Sequence, residues 1–177
     1  MDIQIISSSS KGNCYVVTDS QQHQLLIECG VQSKDIIKTV HFSYLDVCII
    51  SHEHSDHNLS KNFIMEYGVP VYDTNNMRDG QKISVRNWII LPIMAYHNIP
   101  CFSFMIVNVC DKKKILFITD TAYINKNIAD TQIDCALIEA NYSLQYVIDN
   151  FDRVTNFGYK YHLSIESLCD WLKSRKN

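Results

Sequence analysis

Short apolar runs alternate with polar segments along most of the chain, a pattern typical of many short strands and a few helices. Runs rich in β-branched and aromatic residues predict strands at 2–6, 14–18, 24–28, 47–50, 71–72, 83–94 (interrupted near 86–87), 102–109, 114–119 and 133–139. Capping residues and helical spacing predict helices at 33–42, from 58 or 60 to 67, at 143–151 and from 164 onward, with a helix or turn at 74–79. The serine-rich stretch 7–13 predicts a turn.

The order of these elements indicates the fold class. Hairpins come first, and strands then alternate with helices, which predicts an α/β fold with sheets sandwiched between helices. In the last helix, Ile165, Leu168, Cys169 and Leu172 recur at helical spacing and predict one buried apolar face. With 177 residues, the chain has the length of one domain, spanning 1–177.

Charge and cysteine content restrict the functional class. The formal net charge is −3, so nucleic-acid binding would depend on local basic stretches, here 112–114 and 173–176. Both stretches are interpreted as solvated surface charge. The first residues lack a signal-peptide pattern, no run has the length of a membrane span, and seven scattered cysteines form no CxxC pair. These features predict a cytoplasmic protein without membrane association, with reduced and mostly buried thiols.

The segment Ser51–His57 carries the main candidate chemistry. It contains three histidines and two carboxylates, and it directly follows the predicted buried strand 47–50. In an extended stretch the side chains of His52 and His54 point the same way, because residues two apart share a face. Asp56 and His57 follow where the chain must bend, and can face the same point from another side. This spacing predicts a loop that binds two metal ions.

The His-x-His-x-Asp-His string resembles the signature of the metallo-β-lactamase superfamily. The resemblance implies an αββα sandwich, two mixed β-sheets flanked by helices, with the metal site at one sheet edge. It also implies ligands downstream. His97 follows a predicted strand, Asp120 ends the apolar run 115–118, and His162 precedes the last helix. The implied set is His52, His54 and His97 on one ion, Asp56, His57 and His162 on the other, and Asp120 between them.

Five imidazoles and two carboxylates suit two divalent ions, with zinc as the first expectation and manganese or iron as alternatives. Asp56 and Asp120 are expected to anchor the ions and orient the nucleophile, and His162 to assist the leaving oxygen. Ser51 and Glu53 flank the ligands and are candidates to support them, although Glu53 could equally be a solvated or structural carboxylate. The residues proposed to contact substrate are Asn13, Asn141, Tyr159 and Lys160, where turn formation and loop packing are the alternatives.

Five stretches, in chain order, resemble the bacterial YycJ/WalJ-type branch of this superfamily. They are SSSSKGNC (7–14), LIECG (26–30), TDTAY (119–123), IEAN (138–141) and HLS (162–164). The resemblance implies a phosphodiesterase with DNA exonuclease activity. The chain departs from the branch in being short and in having Tyr142 where a histidine is expected. A compact copy suits a phage or mobile-element protein.

The leading hypothesis is a dinuclear metal-dependent phosphodiesterase that acts on DNA, in which a hydroxide shared by two cations attacks phosphorus. One alternative is a cyclic-nucleotide phosphodiesterase, including one with a phage anti-defence role, because the chain lacks a long basic face. Hydrolysis of a carbon ester or thioester, and a binding module without catalysis, are further alternatives. The sequence leaves self-association into a homo-oligomer open.

Overall fold

The protein is described by a computed structural model over residues 1–124, 128, 132–150 and 157–175. The first sheet contains β1 (Asp2–Ser9), β2 (Gly12–Thr18), β3 (Gln24–Ile27), β4 (Leu45–Ile49) and β5 (Val71–Tyr72). The second contains β6 (Ile83–Val85), β7 (Trp88–Ala95), β8 (Cys101–Asn108), β9 (Lys113–Ile118) and β10 (Cys135–Ile138). The α-helices are α1 (Ser33–Ile36), α2 (Ser55–Asn58), α3 (Lys61–Glu66), α4 (Leu144–Asp149) and α5 (Ile165–Ser174).

Both sheets are mixed. In the first sheet the strand order is β1-β2-β3-β4-β5; β1, β2 and β3 are antiparallel, and β3, β4 and β5 are parallel. In the second the order is β10-β9-β8-β7-β6, and only β10 and β9 are parallel. The edge strands are therefore β1 and β5 in the first sheet and β10 and β6 in the second.

Alternation along the strands separates three apolar layers. In β9, Ile115 and Phe117 pack into the core between the sheets, whereas Leu116 packs on the outer face of the second sheet. Ile36 of α1 packs on the outer face of the first sheet, and Trp171 of α5 on that of the second. The predicted arrangement of two mixed sheets flanked by helices is confirmed.

Strand positions agree closely with the sequence, and the differences fall at element ends. The serine stretch predicted as a turn is strand through Ser9, because Ser7–Ser9 pair with Gly12–Cys14. The helix predicted at 33–42 ends at Ile36, and a 3₁₀ turn at Phe42–Tyr44 follows. Part of the predicted helix 143–151 lies outside the described residues. None of the described helices is long and apolar enough to cross a bilayer.

The predicted apolar face of α5 is wrong. Ile165, Cys169 and Leu172 are exposed, and Trp171 is the residue of this helix buried against the second sheet. Leu168 packs beside it as a partly buried neighbour. An indole covers more apolar surface than the smaller side chains, and the helix is rotated to bury it.

Strand direction places the chemistry at one end of the sandwich. The parallel strands β3 and β4 end at Ile27 and Ile49, and β9 and β10 end at Ile118 and Ile138. The segments that follow these strands carry the candidate ligands. All four therefore deliver polar residues to a common edge.

Candidate metal centre

The histidine-rich segment contains a short helix that the sequence did not predict. His52 is fully buried after β4, His54 occupies the N-cap of α2, and Asp56 and His57 lie within this helix. The backbone N–H of His57 donates to the His54 carbonyl at 2.9 Å. The helical turn brings Asp56 and His57 back towards His52, so that they face the same point from another side, as the sequence predicted.

The loop after β3 holds α2 in position. The Cys29 N–H donates to the His57 carbonyl at 2.8 Å, and the Ser60 N–H donates to the Cys29 carbonyl at 2.9 Å. At Gly30 an added Cβ would overlap the Asp56 carbonyl. The absence of a side chain at this position therefore lets two backbone segments touch directly beside the ligands.

Glu53 points away from the ligands and anchors the motif from outside. Its carboxylate accepts from Asn58 Nδ2 at 2.9 Å and Asn75 Nδ2 at 3.3 Å, and it pairs with Lys61 Nζ at 3.3 Å. Lys61 also pairs with Asp73. Glu53 is thus a structural carboxylate, one of the two roles left open by the sequence.

Four predicted ligands form the first group. Its members are His52, His54, His97 and Asp120, with one ligand atom from each lying within 4.8 Å of all the others. His54 Nδ1 lies 2.9 Å from His52 Nε2 and 3.4 Å from His97 Nε2. Asp120 Oδ2 lies 3.4 Å from His52 Nε2 and 3.6 Å from His97 Nε2. Three imidazole nitrogens and one carboxylate oxygen are a donor set that suits zinc.

A second group shares Asp120 with the first and consists of Asp120, Glu139 and His162. The sequence named His162 but gave no role to Glu139, whose Oε2 accepts from His162 Nδ1 at 3.0 Å. His57 adjoins both groups, with Nε2 lying 3.4 Å from Asp56 Oδ2 and 3.6 Å from Asp120 Oδ2. Ligation by Asp56, His57 and His162 stays a prediction.

The charge balance of the cluster fits a cation. Burial and the neighbouring imidazoles lower the pKa of His52 to about 2, so its ring is neutral, the form that binds metals. Burial opposes a charge on His57, but Glu28 and Asp56 outweigh it and raise its pKa to about 10. The neutral ring of His52 thus lies a few ångströms from the carboxylate of Asp120. The residues present fit a bound divalent ion.

Two strand-end carboxylates adopt an unusual backbone conformation. Glu28 has φ of 61° and Asp120 has φ of 45°, both in the left-handed region. Such a conformation costs on the order of 1–3 kcal/mol and occurs mainly at functional sites. In this protein both residues lie just after strands, and their carboxylates lie beside ring nitrogens of the cluster.

Glu28 was missed as a functional residue by the sequence. It is completely buried, accepts from the Ser51 N–H at 3.2 Å, and lies 3.4 Å from His57 Nδ1. Since a carboxylate accepts, His57 Nδ1 carries the proton and its Nε2 is left facing Asp56 and Asp120. Ser51 Oγ lies 2.9 Å from His52 Nδ1, which confirms it as a supporting residue.

A cavity of about 920 Å³ opens over the ligands, between the edge strands β1 and β10. Asn13 and Asn141 line it, as predicted, and Asn13 Nδ2 lies 3.2 Å from His57 Nε2. Tyr159 packs edge-on against Tyr142 at 6.3 Å, and neither it nor Lys160 is among the described lining residues. Those two predicted substrate contacts are therefore not brought into the cavity.

The predicted basic stretches also lie away from the cavity. Lys113 begins β9 at the opposite end from Asp120 and pairs with Asp134 at 2.8 Å. Lys173 of α5 pairs with Asp170 at 3.4 Å, and Lys176 lies outside the described residues. The ion pairs of Lys113 and Lys173 agree with the interpretation of these stretches as surface charge.

No protein-family model and no curated protein sequence matches the chain. Solved structures do match. The metallo-β-lactamase fold protein YhfI from Bacillus subtilis gives a TM-score of 0.75 at 14% identity, over 98% of this chain and 81% of that one. Human tRNase Z, short form, gives 0.68 at 14% identity, over 99% and 88%. Zn²⁺-bound PqqB from Methylobacterium extorquens gives 0.67 at 9% identity, over 92% and 81%. The chain therefore has the metallo-β-lactamase fold.

Proposed function

We propose that this protein is a metal-dependent hydrolase that cleaves phosphodiester bonds, with DNA as its substrate. The observation that carries the proposal is the position of Asp120, which belongs to two adjoining ligand groups beneath an open cavity of about 920 Å³. One carboxylate shared by two cation sites is the arrangement that two-metal phosphodiester hydrolysis needs.

The residues that would hold two ions are those predicted from the sequence. His52, His54, His97 and Asp120, which form the first group, would hold one ion. Asp120 with Asp56, His57 and His162 would hold the other, with zinc as first expectation and manganese or iron as alternatives. Divalent cations bound there would supply Lewis-acid activation of water and of the phosphoryl oxygens.

The chain's own groups orient this machinery. Glu28 accepts a hydrogen bond from His57 Nδ1, and Glu139 accepts one from His162 Nδ1. The Nε2 atom of each ring would therefore be the atom that binds an ion. His162 lines the cavity, and with its Nε2 not bound to an ion it could instead protonate the leaving oxygen. Asp56 and Asp120 can accept hydrogen bonds from an attacking water.

Two lines of reasoning support phosphodiester chemistry. Human tRNase Z, whose name denotes a ribonuclease, shares the fold at a TM-score of 0.68. The five sequence stretches that resemble the YycJ/WalJ-type branch favour DNA, and several of their residues, among them Asn13, Asp120, Glu139 and His162, line the cavity.

A second candidate is hydrolysis of a cyclic nucleotide. The cavity lies within the volume range of small-molecule sites, and its described lining contains no lysine or arginine. A long polyanion usually requires such residues. A small substrate held by the serines and asparagines of the cavity wall would not.

The test is hydrolysis by protein that has been stripped of metal and reloaded with zinc or manganese. Bis(p-nitrophenyl) phosphate comes first, followed by DNA, RNA, cyclic nucleotides, a carbon ester and a thioester, with Asp120→Asn as the control. Metal-dependent cleavage of phosphodiesters that the control lacks is the expected result. Turnover restricted to esters or thioesters overturns the proposal, and failure to bind metal removes its basis.

A further inference from the structure

Three tyrosines from separate loops meet beside the metal centre. Tyr96 follows β7, Tyr123 follows β9, and Tyr161 precedes α5. The Tyr96 ring lies 5.7 Å from that of Tyr123 and 6.3 Å from that of Tyr161, at interplanar angles of 32° and 26°. The three rings therefore form one aromatic cluster, the tyrosine platform, in which Tyr96 neighbours both other rings.

The platform is exposed although its backbone is fixed. Tyr96 is 53% exposed and Tyr123 is 61% exposed. The Tyr96 N–H donates to Thr121 Oγ1 at 3.1 Å, and Thr121 Oγ1 donates to the Tyr123 carbonyl at 2.9 Å. Rigid, exposed rings can bind a flat ligand with little loss of conformational entropy.

The platform is continuous with the metal centre. His97, a member of the first ligand group, directly follows Tyr96 in the chain. Its Nδ1 donates to the Tyr161 carbonyl at 3.4 Å, and its ring lies 6.0 Å from that of Tyr161. Tyr161 also lines the cavity, whereas Tyr96 and Tyr123 are not among its described lining residues, so the platform adjoins the cavity through Tyr161. A ligand that stacks on the platform therefore lies next to the bond that the metal centre would cleave.

The charge of the cavity explains why stacking would be needed. Its described lining contains the carboxylates Asp56, Asp120 and Glu139 but no lysine or arginine. Backbone phosphates thus gain little from side-chain cations within this lining. Stacking of bases on aromatic rings supplies affinity without such contacts, and it tolerates any sequence because every base has a π-face.

We propose that Tyr96, Tyr123 and Tyr161 form a stacking platform for the unpaired nucleobases of a single-stranded nucleic acid, positioned beside the metal centre. The inference rests on the proposed function and specifies its substrate class. Bases in a duplex are stacked on one another and cannot lie on the platform, so single strands are favoured over duplexes.

Binding is measured first, so that the result does not depend on catalysis. Asp120→Asn protein is titrated with a labelled single strand, with a strand of equal length that lacks bases, and with a duplex, followed by fluorescence anisotropy. We expect the base-bearing strand to bind about 5-fold or more tightly than the abasic strand, the lower limit for one stacked base. DNA and RNA strands are compared in parallel to separate these two sources of bases.

Variants then test whether the rings cause this preference. Tyr123→Ala and Tyr123→Leu should bring the affinities for the base-bearing and abasic strands close together, whereas Tyr123→Phe should preserve the difference. Tyr67→Ala is the matched control, because Tyr67 is 56% exposed but ends α3, on the outer side of the first sheet. This control should bind like the parent.

Equal affinity for base-bearing and abasic strands, or tighter binding of duplex, overturns the platform. So does a Tyr123→Leu variant that binds base-bearing strands as well as Tyr123→Phe does. If the parent protein binds base-bearing strands preferentially but its metal-loaded form cleaves none of them, the proposed function fails while the platform stands.

Discussion

The two ends of the sandwich both bury carboxylates, but they surround them with different partners. At the end opposite the cavity, Asp46 accepts from Trp88 Nε1 at 3.1 Å and pairs with Arg86 Nε at 2.9 Å. Asp19 at the same end accepts from Asn87 Nδ2 at 2.8 Å and from the His23 N–H at 2.9 Å. Both of these carboxylates therefore meet protein donors.

At the cavity end, the polar groups face one another instead. His52 Nε2 and His54 Nδ1 lie 2.9 Å apart, and both lie near Asp120 rather than near a lysine or arginine. Buried polar atoms are normally paired. One end is thus held by ion pairs and hydrogen bonds within the protein, whereas the other presents a donor set that would suit a cation, so substitutions at the two ends should affect different properties.

The largest expected effect is on catalysis at the cavity end. Asp120→Asn removes the carboxylate shared by both ligand groups and should lower metal-dependent hydrolysis on the order of 10³-fold. Bound metal, measured by atomic emission, should fall in parallel. Because asparagine tolerates a positive φ, the thermal midpoint of the metal-free protein should change little. A variant that retains both ions and full turnover would contradict the shared-ligand assignment.

A smaller effect is expected from the backbone contact behind the motif. In Gly30→Ala the new methyl group must displace the Asp56 carbonyl, which should weaken metal binding by about 10- to 100-fold, as loss of a supporting contact does. Metal affinity can be measured by competition with a chromogenic chelator. Gly80→Ala is the control, since Gly80 has φ of 70° but open space around it. That variant should lose some stability but no metal affinity.

At the opposite end, Asp46→Asn should lower stability without affecting the metal. The substitution removes a charged acceptor from Trp88 and the ion pair with Arg86, which should reduce the free energy of unfolding by about 2 kcal/mol. Urea denaturation of the metal-free protein measures this loss. Reduced metal content of the folded variant would show that the two ends are coupled, and would contradict the expectation that they affect different properties.

The smallest expected effect concerns the stability that Asp19 contributes and that is lost at acid pH. Hydrogen bonds from Asn87 and Asn108 overcome burial and lower the pKa of Asp19 below its usual 3.8. A lowered folded-state pKa contributes stability above pH 3.8 that is lost as pH falls through the folded value. Asp19→Asn should cost about 1 kcal/mol at neutral pH and flatten the pH dependence of unfolding below pH 4. An unchanged slope there would mean that Asp19 is not a stabilising charge.

The sequence predicted the chemistry better than the local backbone. Asp120 was found because the superfamily resemblance implies an aspartate at the end of an apolar strand, and a carboxylate in the same position occurs at Glu28 after β3 and at Glu139 after β10. Applied to all three strands, it would have marked Glu28 and Glu139 as candidates for the site. Both residues lie in stretches that resemble the YycJ/WalJ-type branch, 26–30 and 138–141, but neither residue was assigned a role from the sequence.

The features that the sequence could not predict depend on contacts between residues that are distant along the chain. Helix α2 has four residues, too few for a periodic pattern, and it is held by hydrogen bonds to Cys29. The meeting of Tyr96 with Tyr123 likewise depends on how β7 and β9 are placed within the second sheet. The rotation of α5 depended on Trp171, whose burial outweighed the apolar spacing of its neighbours.

The first ligand group draws its members from both sheets, since His52 and His54 follow β4 whereas His97 and Asp120 follow β7 and β9. An ion held there would act as a cross-link between chain segments far apart in sequence, much as a disulfide does. Opening the sandwich would require that link to break first. Loading with metal should therefore slow unfolding and protect the chain from proteolysis, even before any substrate arrives.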